Sequence, residues 1–333
     1  MAGYLVRISW LVSPPRSLGE RNRALEEVVL ESTNSDNKIA VIDVNGLITS
    51  EIEQGGMSLP DYIHEQLKAA AKDKDVKAVL LRVDSPGGEV LAADDINNSI
   101  KKFEESTPKP VVVSMGTLAA SGGYYVSVPC RWIVANELTI TGSIGVIMHG
   151  YNYRVLMDKV GVRPRVFKSG KYKDMLSGDR EPEDKLDQAE RKEREQEDAM
   201  VQALIDQTFQ RFKDVVRTGR DWSAKKNGTE GTRLKADWQD YADGRILSGK
   251  QAMDLGFVDE LGNFETATKA ARRLAGISSA KLVQYRVPFD IGSMLFHLFG
   301  KSDAPALKVD LGFDLPRLQA GRLYFMMPTA VAH

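Results

Sequence analysis

A serine in a glycine-rich string is the first residue of this sequence that could do chemistry. Ser121 lies in the string AASGGYY (119–125), shortly after the β-branched run Val111–Ser114. A nucleophilic hydroxyl needs an exposed position at a sharp strand-to-helix turn, where the amide of Gly122 could bind an oxyanion. The same string suits a serine that caps a helix, or a glycine pair that cradles a phosphate. Taken alone, it leaves all three roles open.

A second glycine-bearing string could supply another backbone donor. Acyl-transfer intermediates are usually held by two N–H groups, each worth about 3 kcal/mol. The string DSPGG (84–88) follows the apolar run Ala78–Val83, and we expect it to form a turn. Its proline rigidifies the turn, while its two glycines permit unusual dihedrals that could aim an amide outward. Since an ordinary turn after a strand often has this composition, only the pairing with Ser121 makes the string a candidate site.

Five separated strings carry a resemblance to a known family. They are DSPGG (84–88), AASGGYY (119–125), TGSIGVI (141–147), KSGKYKD (168–174) and a segment running from DGR to VDELG (243–262). In order and approximate spacing they resemble signal peptide peptidase A enzymes, serine peptidases of family S49, in the short single-domain form. The resemblance covers residues 38–287. It implies the Clp protease/crotonase fold, an α/β fold in which repeated ββα units build a parallel-rich sheet surrounded by helices.

The resemblance also implies a serine endopeptidase with a Ser–Lys dyad. Ser121 matches the nucleophile and Lys173 the general base, and the backbone N–H groups of Gly88 and Gly122 match the oxyanion donors. Ser169 is a candidate for orienting the lysine through a hydrogen bond. The implied substrates are signal-peptide remnants or other unfolded or released peptides.

A lysine can act as a base near neutral pH only where its surroundings lower its pKa. A lysine side chain has a reference pKa of about 10.4, so a lysine base at neutral pH needs a pKa lowered by roughly 2–3 units. Burial lowers it, and so would the nearby positive charges of Lys168 and Lys171 if they were close. Without the family resemblance, Lys173 would be an ordinary surface lysine in a basic patch.

Two alternative enzyme classes fit parts of the pattern. His149 follows residues 145–148, about where Clp proteases carry their catalytic histidine, so a Ser–His peptidase on the same fold is one alternative. No recognisable motif supplies a carboxylate to orient it. A crotonase-like acyl-CoA enzyme would use the two amides without needing Ser121 or Lys173. A ring-forming scaffold that binds peptides without cleaving them is a third possibility.

The composition also limits the classes of ligand that we expect. The 45 basic and 46 acidic residues leave a formal charge of −1, which provides no broad field for nucleic acid, and we expect no nucleic-acid partner. Cys130 is the single cysteine and lies in an apolar run, which favours a buried, inert thiol. Because the four histidines form no Cys/His cluster, we expect no metal and no cofactor.

The elements that must position these residues alternate along the chain. Strands are expected near residues 39–44, 78–83 and 110–114, with a helix at 60–72 and another around Phe103. Such alternation favours an α/β fold with a largely parallel sheet, whose ligand sites collect at the carboxyl ends of strands. Further along we expect a long charged helix at 182–217, a polar insertion at 223–240 and a last strand at 281–287.

The domain plan is an N-terminal extension (1–37), a catalytic domain (38–287) and a C-terminal tail (288–333). The apolar start of the extension is broken by Arg7 and is shorter than the roughly 20 residues of a membrane span, and its charge lies in the wrong place for a signal peptide. The apolar stretch 289–299 is expected to pack against a neighbouring subunit, with a membrane surface as the alternative.

The single copy of each motif resembles the short form of the family. In short members of the resembled family, one protomer contributes the serine and its neighbour the lysine, so we expect an octamer-like homo-oligomeric ring. The resemblance implies membrane association, and a soluble cytoplasmic enzyme is the alternative.

Overall fold

A mixed sheet forms the centre of the molecule. The computed structural model describes residues 25–52, 56–288 and 323–326. In these ranges ten strands join one sheet. The strands are β1 Glu26–Glu31, β2 Lys38–Ile48, β3 Val76–Glu89, β4 Val111–Ala120, β5 Trp132–Ala135, β6 Ile140–Gly142, β7 Ile246–Ser248, β8 Glu260–Leu261, β9 Lys281–Arg286 and β10 Tyr324–Met326. The helices are α1 Leu59–Lys72, α2 Val90–Ser106, α3 Gly122–Ser127, α4 Arg154–Lys159, α5 Gln188–Asn227, α6 Gly249–Asp254 and α7 Phe264–Leu274.

The pairing of the strands confirms the α/β class. The main path of the sheet is β1-β9-β2-β3-β4-β5-β8, with β6 beside β4, β7 beside β6 and β10 beside β3. Neighbours from β9 through β8 on this path run parallel, whereas β1, β7 and β10 pair antiparallel. Parallel β2, β3 and β4 therefore end at one edge of the sheet, where the two glycine strings lie.

Alternating side chains bury both faces of the sheet, because successive residues of a strand point to opposite sides. On one face, Ile42 and Leu81 join a large core with helices α1, α2, α3 and α5. On the other, Ile39 and Leu80 pack against the alanines of α7. Cys130 belongs to the larger core and is fully buried, as predicted, and burial raises the pKa of its thiol well above the usual value.

The string at 84–88 is not a turn. It continues β3 to Glu89, and a shift of register between Val83 and Ser85 lets the strand stay paired with β4. Ser85 stabilises this end of the strand, because its hydroxyl donates to the Gly46 carbonyl at 2.6 Å and accepts from the Gly87 amide at 3.1 Å. The two glycines are therefore held within β3 at the end of the sheet, Gly87 with a positive φ of 105°.

The long charged helix starts later and ends later than the pattern predicts. A capping box formed by Asp187 and Glu190 starts α5 at Gln188 instead of 182, and the helix runs to Asn227 instead of 217. The first five residues of the expected insertion at 223–240 belong to this helix. They stay helical because the side chains of Ser223 and Asn227 both donate to the Arg131 carbonyl at 2.8 Å.

A buried ion pair attaches α5 to the sheet. Arg220 and Asp259 both have fully buried side chains. The guanidinium donates through Nη1 to Asp259 Oδ2 at 2.8 Å and through Nε to the Gly256 carbonyl at 3.0 Å. The same carboxylate accepts from the Ile133 amide at 2.8 Å. Every polar group of the pair thus has a partner away from water.

We expect Asp259→Ala to be strongly destabilising. It leaves a buried guanidinium without a counter-charge, so the free energy of unfolding should fall by about 3–5 kcal/mol in urea denaturation. The double variant Arg220→Leu/Asp259→Leu removes both charges and should lose less than Asp259→Ala alone. A loss below about 1 kcal/mol for Asp259→Ala would contradict this account of how α5 is held.

The structure describes only part of the two ends of the chain. None of the helices in the described ranges is long and apolar enough to cross a bilayer. The expectations for the first 24 residues and for the stretch 289–299 lie outside the described residues. From the tail, Leu323 to Met326 is described, and its strand β10 was not predicted.

Candidate active site

Ser121 sits in an uncommon backbone conformation between β4 and α3. Its φ is 55° and its ψ is −114°, which for a non-glycine residue costs on the order of 1–3 kcal/mol. Neighbouring backbone holds it there, since its amide donates to the Gly142 carbonyl at 2.8 Å and its carbonyl accepts from the Tyr125 amide at 2.8 Å. Such strain is typical of residues whose position serves a function.

The hydroxyl of Ser121 is left free by this arrangement. It makes no hydrogen bond to α3, so the helix-capping role is wrong. Ser121 is 1% exposed, and its Oγ is buried without a hydrogen-bond partner among the described residues. Because buried hydroxyls are normally bonded, this one is available to a reacting group.

The two predicted amide donors lie beside each other. A methyl group in place of a Gly122 hydrogen would lie 3.0 Å from Gly87 Cα and 3.1 Å from the Gly88 nitrogen. A side chain on Gly88 would collide with the Ile48 carbonyl. Gly87, with a φ of 105°, would likewise place a methyl group 2.7 Å from the Gly122 nitrogen. Glycine is therefore required at all three positions, and backbone amides line this end of the sheet.

Further residues that the sequence reasoning missed support this arrangement. The Asp84 carboxylate accepts from the Leu118 amide at 3.0 Å, which ties the end of β3 to β4. The Thr141 hydroxyl donates to the Ala119 carbonyl at 2.7 Å. Asp84 and Thr141 both lie in the quoted strings, so their polar side chains were the signal that could have indicated them.

Lys173 is placed away from these groups. It is exposed and lies in the turns between α4 and α5, where its amide donates to the Gly170 carbonyl at 3.2 Å. Ser169, the candidate for orienting it, is also exposed. Within the described part of one chain, Lys173 Nζ has no ion pair or hydrogen bond, and nothing joins it to the Ser121 hydroxyl.

The two neighbouring lysines each lie close to a carboxylate. Lys168 Nζ lies 2.8 Å from an Asp174 carboxylate oxygen, and Lys171 Nζ lies 3.6 Å from a Glu193 oxygen. Their charges are therefore partly neutralised, so within one chain they would contribute little to lowering the pKa of a lysine base.

His149, the alternative general base, also has a ring nitrogen without a hydrogen-bond partner among the described residues. His149 is half-buried, and its Nε2 is buried with no hydrogen bond among the described residues. Residues 145–148 form no regular strand and contribute only an isolated bridge at Ile147. In a Ser–His–Asp site Nε2 bonds to the serine hydroxyl, and no such bond joins His149 Nε2 to Ser121 Oγ in the described part of the chain.

An aromatic ring contact joins α3 to α5. Tyr125, on α3, donates its hydroxyl to Asp94 at 2.5 Å, and its ring lies 5.0 Å from that of Phe212 on α5. Burial and the bond to Asp94 raise the pKa of Tyr125, so its phenol stays protonated. In the described ranges, no group of three or more His, Cys, Asp or Glu side chains could hold a metal ion.

Comparison with known proteins places the chain in a family. The model of peptidase family S49 matches residues 104–278, more than half of the chain and including both Ser121 and Lys173. The chain belongs to peptidase family S49. The protein is accordingly a peptidase.

Relatives extend the S49 match over most of the chain. A putative protease of Synechocystis is 39% identical over 252 residues, covering 75% of this chain and 79% of that protein. A putative signal peptide peptidase SppA of Enterococcus faecium is 35% identical over 268 residues, covering 79% of this chain and 71% of that protein. A chloroplastic serine protease SPPA of Arabidopsis thaliana is 32% identical over 257 residues, which cover 75% of this chain and 34% of that protein.

Proposed function

We propose that the protein is a serine endopeptidase in which Ser121 is the nucleophile and Lys173 the general base. The observation that carries the proposal is the Ser121 hydroxyl, buried and unbonded on a strained backbone beside the amides of Gly88 and Gly122. A crotonase-like enzyme without a nucleophile would have no use for a strained serine here. The name of the Arabidopsis relative, a serine protease, agrees with a serine-type mechanism.

The mechanism follows from these groups. Ser121 Oγ attacks the peptide carbonyl carbon while the uncharged Lys173 amine takes the hydroxyl proton. The Gly88 and Gly122 N–H groups stabilise the resulting oxyanion. The C–N bond then breaks as the lysine gives its proton to the leaving amine. Water then attacks the acyl-serine while the lysine removes its proton, the C–Oγ bond breaks, and the lysine returns the proton to Ser121 Oγ as the acid product leaves.

The proposed lysine comes from a neighbouring protomer. Lys173 is exposed and unpaired in one chain, so it is free to enter another chain's site. The segment that carries it also exposes several large apolar side chains, as a surface that is covered in an oligomer would. They are Tyr151, Leu156, Val160, Phe167 and Leu176. This supports a homo-oligomeric ring in which each site is shared, with signal-peptide remnants or other unfolded peptides as substrates.

A pH profile tests the proposal against its Ser–His rival. The purified protein is incubated with an unfolded protein and with a fluorogenic peptide, and products are identified by mass spectrometry. We expect hydrolysis whose kcat/KM rises with pH above neutrality, because only the uncharged amine accepts the serine proton. A profile that levels off near pH 6.5, the ordinary range of an imidazole, together with loss of activity in His149→Ala, would assign the base to His149 instead.

A further inference from the structure

The segment that carries Lys173 has no hydrophobic core of its own. The structure describes every residue from 145 to 196, and none of them is buried. Short turns shape the backbone around the lysine, since the Lys173 amide donates to the Gly170 carbonyl at 3.2 Å and the Ser177 amide to the Asp174 carbonyl at 3.1 Å. Turns set the local path of the chain but not its position on the rest of the molecule. Other contacts must therefore fix where Lys173 lies.

A buried carboxylate lies next to this segment. Between Ile144 and Phe212, a stretch that the structure describes throughout, Glu197 on α5 is the one buried residue, at 2% exposed. Burying a carboxylate is costly unless a cation pairs with it. Arg180 supplies that cation, because its Nη1 lies 2.5 Å from Glu197 Oε2. Arg194 Nε is further from the same oxygen, at 3.7 Å.

Arg180 connects the buried carboxylate to the residue after Lys173. Its Nε lies 3.8 Å from Asp174 Oδ2, and Asp174 also accepts from Lys168 Nζ at 2.8 Å. The planar guanidinium can serve two carboxylates at once, because its donors point in several fixed directions. We call Glu197, Arg180 and Asp174 the arginine bridge. It runs from the long helix to the backbone that carries the proposed base.

The other polar contacts between this segment and α5 lie near the surface. Lys171 Nζ is 3.6 Å from a Glu193 oxygen, and the Tyr172 hydroxyl donates to Gln196 Oε1 at 3.3 Å. Exposed pairs of this kind are screened by water and contribute little. The arginine bridge is the contact whose loss would leave a charge buried without a partner.

We propose that the arginine bridge positions Lys173 for its work as the general base, with Glu197 as its anchor. The inference rests on the proposed function and adds three positioning residues to it. Each acts through the lysine. Because a misplacement of about 1 Å can cost about 10²-fold in rate, loss of the bridge should slow the chemical step more than it weakens substrate binding.

Steady-state kinetics on a fluorogenic peptide test the anchor. Glu197→Ala should lower kcat by about 10- to 100-fold and leave KM within about threefold of the wild type. Glu197→Gln should lose less, because its amide oxygen still accepts a hydrogen bond from Arg180. Glu195→Ala is the matched control, since it removes an exposed carboxylate from the same helix, and should keep the wild-type kcat. A wild-type kcat in Glu197→Ala, or an equal loss in Glu195→Ala, would overturn the inference.

A double variant tests whether the bridge acts as one unit. Arg180→Ala should lower kcat as much as Glu197→Ala does, and Arg180→Ala/Glu197→Ala should lose no more than either single variant. Losses that multiply in the double variant would show two independent effects and contradict a single bridge.

Subunit mixing shows whether Glu197 acts through the lysine. Glu197→Ala subunits are unfolded, combined in equal amounts with Ser121→Ala or with Lys173→Ala subunits, and refolded. With Ser121→Ala, about a quarter of shared sites receive an intact serine and an intact lysine segment, so activity should reach about a quarter of the wild type. With Lys173→Ala, neither chain carries an intact lysine segment, so activity should stay at about half that of Glu197→Ala alone. Both mixtures contain the same Glu197→Ala subunit, so a general folding defect would lower both equally. Equal activities, where Ser121→Ala and Lys173→Ala subunits do complement each other, would overturn the inference.

Hydrogen exchange separates the two proposals, because it needs neither cleavage nor a shared site. In the full chain, Glu197→Ala should speed amide exchange in peptides covering 168–180 at least several-fold, while peptides from β3 keep the wild-type rate. Unchanged exchange in 168–180 would overturn the inference whatever the kinetics. Faster exchange in a protein whose wild type cleaves no peptide would refute the proposed endopeptidase and keep the arginine bridge as the anchor of the segment. Equal hydrolysis by the wild type and Glu197→Ala would refute the positioning role and keep the endopeptidase.

Discussion

Ser121→Ala is expected to lower kcat on peptide substrates by about 10³–10⁶-fold, down to what the amides and substrate binding achieve alone. The loss should come without unfolding. Since Ser121 Oγ has no hydrogen-bond partner among the described residues, its removal breaks no such bond there, and urea denaturation should give a free energy of unfolding within about 0.5 kcal/mol of the wild type.

Ser127 supplies the control for this prediction. It is the last residue of α3, the helix that follows Ser121, is fully buried, and donates its hydroxyl to the Gly123 carbonyl at 2.7 Å. Ser127→Ala should therefore cost about 1 kcal/mol of stability while kcat stays within a few-fold of the wild type. Full peptidase activity in Ser121→Ala would rule out the nucleophile assignment, whatever the behaviour of Ser127→Ala.

The serine end of the site could be predicted because its parts follow from local chemistry. The strings around Gly88 and Ser121 each come after a β-branched run, and parallel strands bring the ends of such runs to one edge. The register of β3 and β4, with Ser85 opposite Ala119, places them side by side. The conformation of Ser121 could not be predicted in the same way, because tertiary bonds to Gly142 and Tyr125 hold it.

The tail shows where pattern reasoning fails. Strand β10 has three residues, Tyr324–Met326, which is too short for an alternating pattern to indicate a strand. Its partners are Gly87–Glu89 and Ile147, far away in sequence. What makes it a strand is its pairing with the backbone of β3 and of Ile147, which no local property of the tail reveals.

The end of α5 illustrates the same limit. The pattern of apolar residues fades after Arg217, so a polar insertion is the natural expectation beyond it. Yet Arg220, Ser223 and Asn227 continue the helix through polar contacts with Asp259 and the Arg131 carbonyl. Buried polar residues that find tertiary partners look, in the sequence, like exposed ones.

Lys173→Ala should lower kcat by about 10²–10⁴-fold, because a positioned general base typically contributes that much. Lys173→Arg should lower kcat to the same extent as Lys173→Ala, since a guanidinium does not give up its proton near neutral pH. Lys171→Ala is the matched control. It removes an exposed lysine two residues away, with only a Glu193 contact at 3.6 Å, and should retain wild-type activity.

Mixing the two inactive variants decides whether the site is shared between protomers. When Ser121→Ala and Lys173→Ala subunits are unfolded, combined in equal amounts and refolded together, a shared site takes its serine and its lysine from different chains at random. About a quarter of the sites then hold both, so activity should return to about a quarter of the wild type. If serine and lysine instead came from one chain, no arrangement of these subunits would contain an intact pair. A mixture shown by native mass spectrometry to contain both subunits, yet inactive, would thus place the lysine in the same protomer and contradict the proposal. Lys173 would then have to move from its exposed turn to Ser121 within one chain, a rearrangement for which the described contacts offer no support.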